Sequence, residues 1–187
     1  MEFPISFDSF GPLQRQGLEI RHDVDDKGVG LFTTEPLRPG DPIGFYAGLP
    51  KGEITRREER FAIDVGGFDV AVVPPLDGSG GGVDFRLYPM AAANEPSSEE
   101  VANMVLVSDK IYEVDGLSYV VLAFYATSEI EAGSELTWHY GPLYDRNYAV
   151  GRLPETVPNF VMALPRLKRL IEKRPDAIFS IQDLERV

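Results

Sequence analysis

Cysteine is absent from the chain. Without a thiol there is no disulfide and no thiolate zinc site, and the composition fits a reducing compartment. Histidine is almost as scarce, with His22 and His139 alone, so acyl-transfer triads are poorly supplied. No apolar run approaches the roughly 18 residues that a membrane span needs. The opening MEFPISFDSF has neither a basic n-region nor an apolar h-region. The expectation is a soluble intracellular protein with no membrane partner, nucleus and cytoplasm being left open. The glycine-rich stretch DGSGGG, 77–82, is not followed by GK[ST] and so reads as a loop tip, not a phosphate loop. Positive charge is also in short supply, at 18 Lys plus Arg against 30 Asp plus Glu. Through residue 165 the count is 12 against 26, whereas 166–174 holds five basic residues and one acid. A phosphate backbone would be repelled by the main body, which makes direct nucleic-acid binding unexpected. A cationic peptide would be attracted and steered.

What is present is an ordinary globular composition of 187 residues, 43% of them hydrophobic, enough for one domain with a real core. Short strands dominate. GLEIRH (17–22) alternates, GVGLFTTEPL (28–37) and PIGFYAG (42–48) follow, and EITRREERF (53–61) is polar with helix-forming residues. FAIDV and FDVAVV suggest a hairpin around Gly66 and Gly67, and IYEV-DG-LSYVVLAFYA a clearer one turning at Asp115 and Gly116. ELTWHYG (135–141) has the alternation of a strand with Leu136 and Trp138 facing one way and Thr137 and His139 the other. From Asn159 the period changes: Leu164, Leu167, Leu170 and Ile171 form a helical stripe with Lys and Arg opposite. That stripe either covers the protein's own core or dimerises, so a monomer or a homodimer is expected. The division expected is a mainly β domain over 1–150 and a helical extension over 151–187 packing on it.

Four separated pieces carry the chemistry. Lys27, Gly28, Val29 and Gly30 surround a turn entering an apolar strand, where backbone amides can come close to a ligand. Tyr46, Ala47 and Gly48 end the next strand. Asn94, Glu95 and Pro96, with Asn103 further on, bring amide side chains to an irregular segment. Ile130, Gly133, Glu135 and Leu136 lead into Trp138, His139, Tyr140 and Gly141. His22 with Asp23, Asp25 and Asp26 has metal-ligand residue types, but four polar residues in a turn fit a solvated loop better, and no metal is expected.

Together and in this order the pieces resemble the SET domain of protein lysine methyltransferases, over roughly 18–148. A GxG entering a GLF strand is met at 28–32, a strand ending YxG at 46–48, and the I-x-x-G-E-E-L-x-x-x-Y-G pattern at 130–141, with Ser134 where glutamate is usual. In place of R-F-I-N-H-S-C-x-P-N the chain has Ala91, Ala92, Ala93, Asn94, Glu95 and Pro96, and the cysteine-rich flanking zinc regions are missing. The resemblance implies a fold of several small sheets around a threaded C-terminal segment, S-adenosylmethionine as cofactor, and a basic protein such as a histone tail as substrate.

It also implies residue roles. Tyr140, at a strand end and fixed by the glycine after it, directs its hydroxyl at the transferring methyl group, with Tyr46 as a second catalytic tyrosine. Lys27, Gly28, Val29, Gly30, Asn94, Glu95 and Tyr140 hold the cofactor. Asn103 ties the knot-like core together, and Tyr46, Trp138 and Tyr144 line the substrate channel. Tyr148, four residues after Tyr144, either packs with it in a helical turn or shares the groove. Trp138 occupies the position that tunes how many methyl groups are added; its apolar phase suggests a largely buried ring and products beyond monomethyllysine. A second class of function stays open, a catalytically silent module that binds basic peptides through the same groove. A β-rich hydrolase would need a carboxylate pair that does not stand out among thirty acids.

Overall fold

The computed structural model describes residues 16–24, 27–46, 48–64, 71–76, 82–114, 117–141 and 144–154. Among them the architecture is mainly β, built from three small antiparallel sheets, as the SET-like expectation requires. Strand β1 (Leu18–Val24) pairs with β2 (Gly28–Thr33) in a two-stranded ribbon that runs from Leu18 opposite Thr33 to Val24 opposite Gly28. Strands β3 (Pro42–Phe45), β7 (Met104–Val114) and β8 (Leu117–Ala126) form a second sheet with β8 in the middle. A third sheet has β6 (Ala71–Val73) between β4 (Leu49–Lys51) and β5 (Ile63–Asp64).

Strand β8 shows why this chain forms a core without long helices. Leu122, Phe124 and Ala126 lie on one phase and Ala123 and Tyr125 on the other, and all five are buried. A strand covered on both faces reads as a continuous apolar run, which is what LAFYA is. Around Phe124 gather Leu31 from β2, Ile43 from β3, Met90 and Ala92 from a 3-10 turn at Pro89–Ala92, Met104 from β7, and Ile130 and Leu136. The core thus draws on nearly every element between β2 and residue 136.

The stretch 130–138 is the thread that joins these pieces. Leu37 and Ile130 exchange backbone hydrogen bonds, the Leu136 amide donates to Leu31, and the amides of Asn103 and Met104 donate to the Thr137 carbonyl. Glu131, Ala132 and Gly133 are exposed, but at Leu136 and Thr137 the thread is hydrogen bonded along both edges and covered on both sides. The in-and-out alternation read from ELTWHYG therefore fails: Leu136 and Thr137 are neighbours in sequence and both are buried. In place of a regular strand there are isolated bridges, antiparallel between Phe32 and Glu135 and parallel between Asn94 and Thr137.

Other expectations are shortened. The strand from Gly28 stops at Thr33, and Leu37 rejoins only through its bridge to Ile130. The polar stretch at 53–61 yields one 3-10 turn, Glu58–Phe61, whose Glu58 carboxylate accepts from the Thr55 amide and hydroxyl and pairs with Lys51. Tyr144 and Tyr148 do not lie in a helical turn, since the described residues from 144 to 150 are bends and irregular chain. Both hairpins pair as expected, Ile63 with Val72 and Ile111 with Val120, while their turn residues lie outside the described set. The C-terminal helical stripe and the DGSGGG tip, apart from Gly82, also lie outside it. Gly151 and Arg152 are hydrogen bonded to Pro96 and Glu100, so the packed body reaches past residue 150. Among the described residues no helix is long and apolar enough to cross a membrane.

Candidate functional site

Four distant parts of the chain meet at the start of β2. Gly28 has φ +81°, a conformation that side chains disfavour, and nothing lies within 4 Å of where its Cβ would stand. Two residues on, a Cβ at Gly30 would fall 2.9 Å from the Phe32 ring and 3.0 Å from Glu135 Oε1. The first glycine leaves backbone open, and the second lets a carboxylate approach the backbone. Between them the Val29 carbonyl accepts from Asn94 Nδ2 at 2.8 Å, and the same nitrogen donates to Glu135 Oε1 at 2.8 Å. Lys27 Nζ donates to the other oxygen, Glu135 Oε2, at 3.0 Å. Asn103 fixes the thread from its far side, donating to the Glu135 carbonyl at 2.8 Å and accepting from the Thr137 amide at 2.9 Å.

This corner refines two expected roles. Lys27 is paired with Glu135, the two side chains 21% and 17% exposed. Both N–H groups of Asn94 are committed inside the protein, leaving its carbonyl oxygen as the group able to meet a ligand. Glu135 receives both and was singled out in the sequence only as a motif letter. Its identity as the junction follows from spatial closeness that spacing does not encode.

One residue after Asn94 the chain enters a second cluster. The Glu95 side chain is 2% exposed and accepts from Arg146 Nε at 2.7 Å, Arg146 Nη2 at 2.6 Å, the Tyr140 amide at 2.7 Å and the Tyr148 hydroxyl at 2.9 Å. Arg146 also donates to the carbonyls of Gly141 at 2.7 Å and Tyr144 at 2.9 Å. Burial pushes the Glu95 carboxyl up, but the bonds from Arg146, Tyr140 and Tyr148 outweigh it and hold the group below the ordinary glutamate value. Glu95 thus faces the Tyr140 segment. Arg146 stood out in no motif; a lone arginine in GPLYDRNY carries no periodic or spacing signal.

The aromatic residues form a row. Ring centroids are separated by 6.4 Å from Tyr46 to Phe124, 5.1 Å from Phe124 to Trp138, 5.0 Å from Trp138 to Tyr140 and 4.9 Å from Tyr140 to Tyr144. Trp138 packs against the core and is partly buried. The Tyr140 hydroxyl donates to the Ala93 carbonyl at 2.9 Å, and its backbone turns at Gly141 with φ +99°. Burial first, then the neighbouring tyrosines and Glu95, raise the Tyr140 phenol well above its ordinary value, so it stays protonated through neutral pH. The Tyr46 hydroxyl donates to the Phe61 carbonyl, and burial raises it likewise. His139 accepts from the Gly141 amide at 3.0 Å and serves the turn. His22 is exposed, and no group of three metal-ligating side chains occurs among the described residues.

The donor set suits an amino-acid end of a cofactor. A cation and an anion side by side, Lys27 and Glu135, complement the carboxylate and ammonium of a zwitterion, next to the open backbone at Gly28. No family model matches this chain, and no curated protein matches it in sequence. Two similar solved structures are KRYPTONITE in complex with mCHH DNA, an H3(1-15) peptide and SAH, and a Plasmodium falciparum protein assigned as a histone methyltransferase. The first is 20% identical over 77% of this chain and 26% of its own, at a TM-score of 0.49. The second is 14% identical over 70% of this chain and 97% of its own, at a TM-score of 0.47. This chain spans about a quarter of the length of the KRYPTONITE chain.

Proposed function

We propose that the chain is an S-adenosylmethionine-dependent protein lysine N-methyltransferase whose substrate is a basic protein, histone tails first. The observation that carries the reading is the meeting of Val29, Asn94 and Glu135 at one place, with the Tyr140 hydroxyl on the Ala93 carbonyl one residue before Asn94, from motifs more than a hundred residues apart in sequence. Lys27, the backbone of 28–30, the Asn94 carbonyl oxygen and Glu135 are the groups that hold the cofactor. When bound, S-adenosylmethionine supplies a methyl group activated by a positively charged sulfur. The residues then have to position and desolvate more than to react. A substrate lysine, with an ordinary pKa of about 10.4, must reach the site neutral, and poor hydration between Trp138, Tyr144 and Tyr46 together with the sulfonium charge would favour loss of its proton. Tyr140 keeps its hydroxyl proton and holds it on the Ala93 carbonyl, so the phenol oxygen has a fixed place and lone pairs free for a polarised C–H.

The test pairs calorimetry with S-adenosylmethionine and mass spectrometry of mixed histones incubated with protein and cofactor. Micromolar binding together with methylated lysine supports the reading. Histone binding without cofactor binding would identify a silent peptide-binding module, an outcome favoured by the commitment of both Asn94 N–H groups within the protein.

A further inference from the structure

A carboxylate that is 2% exposed and bonded by an arginine fork, a backbone amide and a phenol is not a solvated surface acid. It stands directly after Asn94, yet its hydrogen-bond donors are Tyr140, Arg146 and Tyr148, with His139 Nδ1 3.9 Å away. The fork that reaches it also grips the Gly141 and Tyr144 carbonyls, so one guanidinium ties three points of that segment to a fixed base. Tyr144 in turn rests its ring against Tyr140 at 4.9 Å and lies 5.3 Å from the guanidinium carbon. The Tyr140 backbone amide donates to Glu95 Oε1 at 2.7 Å.

We propose that the Glu95–Arg146 pair is the positioning device for Tyr140, with Glu95 fixing its backbone and Arg146 holding the Gly141 and Tyr144 carbonyls, and hence Tyr144, against its ring. In this proposal both residues act on the reaction through Tyr140. The proposal rests on the methyltransferase reading, and it replaces the cofactor-binding role that the position of Glu95 suggested. A lysine at 146 keeps the charge but cannot bridge two carboxylate oxygens and two carbonyls at once. Arg146→Lys therefore keeps the electrostatics while loosening the geometry.

Trp138 is the single tryptophan of the chain and lies 5.0 Å from the Tyr140 ring. Its emission therefore reports on the segment without requiring activity. The experiment compares the wild-type chain, Arg146→Lys, and the double variant Glu95→Gln with Arg146→Met, which removes both buried charges and guards against misfolding of a single variant. Tryptophan emission, acrylamide quenching, S-adenosylmethionine affinity by calorimetry and the single-turnover rate on mixed histones are measured for each. The expected result is emission at longer wavelength, stronger quenching, cofactor affinity within about twofold, and a single-turnover rate lower by roughly 100-fold, the scale of a misplaced reacting group. Arg86→Ala, which breaks an exposed pair with Asp84, serves as the control with all four readings unchanged. Unchanged emission and unchanged rate in Arg146→Lys and the double variant overturn the proposal, as does a loss confined to cofactor affinity, which would return Glu95 to the cofactor. If the wild-type chain transfers no methyl group while the emission responds as expected, the clamp stands and the methyltransferase reading falls.

Discussion

Asn94 and Glu95 are adjacent in sequence and anchor two ion pairs of opposite character. On the Asn94 side, Lys27 meets Glu135 through one contact at 3.0 Å, with side chains 21% and 17% exposed. On the Glu95 side, Arg146 grips both carboxylate oxygens, with side chains 13% and 2% exposed. The first pair is a point charge beside open backbone and can exchange partners. The second is a planar fork in a closed pocket whose other hydrogens are already placed. A site that binds a charged ligand and also orients a phenol needs both kinds, and here a single peptide bond separates them.

The comparison breaks first if the buried pair proves dispensable. Arg146→Met leaves the Glu95 carboxylate without its cation, and the expected loss of stability is about 3–5 kcal/mol by denaturant unfolding. The pH dependence has a definite sign. Because Glu95 is held below the ordinary value of 4.5, its contribution is complete above that value and is lost as pH falls through the lower folded value. Glu58, held to about 2 chiefly by Lys51 and Thr55, loses its contribution in the same direction between 4.5 and about 2. Wild-type unfolding followed from neutral to acid pH should show this decline, and Arg146→Met should show less of it. Equal acid sensitivity in the two would mean that Glu95 gains nothing from Arg146.

Tyr140→Phe comes next in size. It deletes one oxygen from a fixed ring, and methyl transfer should fall about 100-fold, roughly 3 kcal/mol of transition-state stabilisation, with a stability loss of about 1–3 kcal/mol from the Ala93 carbonyl left unpaired. Full activity would remove the hydroxyl from the mechanism and leave Tyr140 as a wall of the aromatic row.

On the open side, Asn94→Ala should weaken S-adenosylmethionine binding by about 1–2 kcal/mol with the fold retained. Two routes lead to that outcome, loss of its carbonyl oxygen and release of Glu135 from its 2.8 Å bond. Glu135→Gln separates them, since it keeps an acceptor for Asn94 while removing the charge that faces an ammonium. Unchanged affinity in Asn94→Ala by calorimetry makes the residue structural.

The fold was legible where local pattern and environment agree. The alternation of β1 and the hairpin of β7 with β8 each follow from one neighbourhood of residues, and the pairings of Leu18 with Thr33 and Ile111 with Val120 obey them. The stretch 135–141 was legible as a motif and misread as a half-buried strand, because at Thr137 and Trp138 a second edge is supplied by Asn94, Asn103 and Met104 from elsewhere. Tyr140, Asn94 and the two glycines could be named from the motif resemblance alone. Their bonding could not: that Asn94 spends both hydrogens on Val29 and Glu135, or that Glu95 turns to Arg146, depends on which distant groups arrive first at hydrogen-bond range. Long-range polar partnership leaves no periodic trace in a chain.

The smallest effect belongs to the pair that gave the comparison its open side. Lys27→Met removes a cation from a half-covered contact, and Glu135 keeps its bond from Asn94 afterwards. Water reaches both partners, so the Coulomb gain is screened and the lysine recovers rotamer freedom when released. The expected change in unfolding free energy is about 0–1 kcal/mol, smaller still in concentrated salt. Cofactor affinity should move more than stability does, since a ligand carboxylate would lose its nearest cation. That inversion, a weak effect on the fold beside a clear effect on binding, is the mark of an exchangeable pair. Unfolding in low and high salt together with calorimetry on S-adenosylmethionine reads both sides. A stability loss as large as that of Arg146→Met, with affinity unchanged, would make Lys27–Glu135 a second structural clamp and dissolve the distinction between the two sides of the Asn94–Glu95 bond.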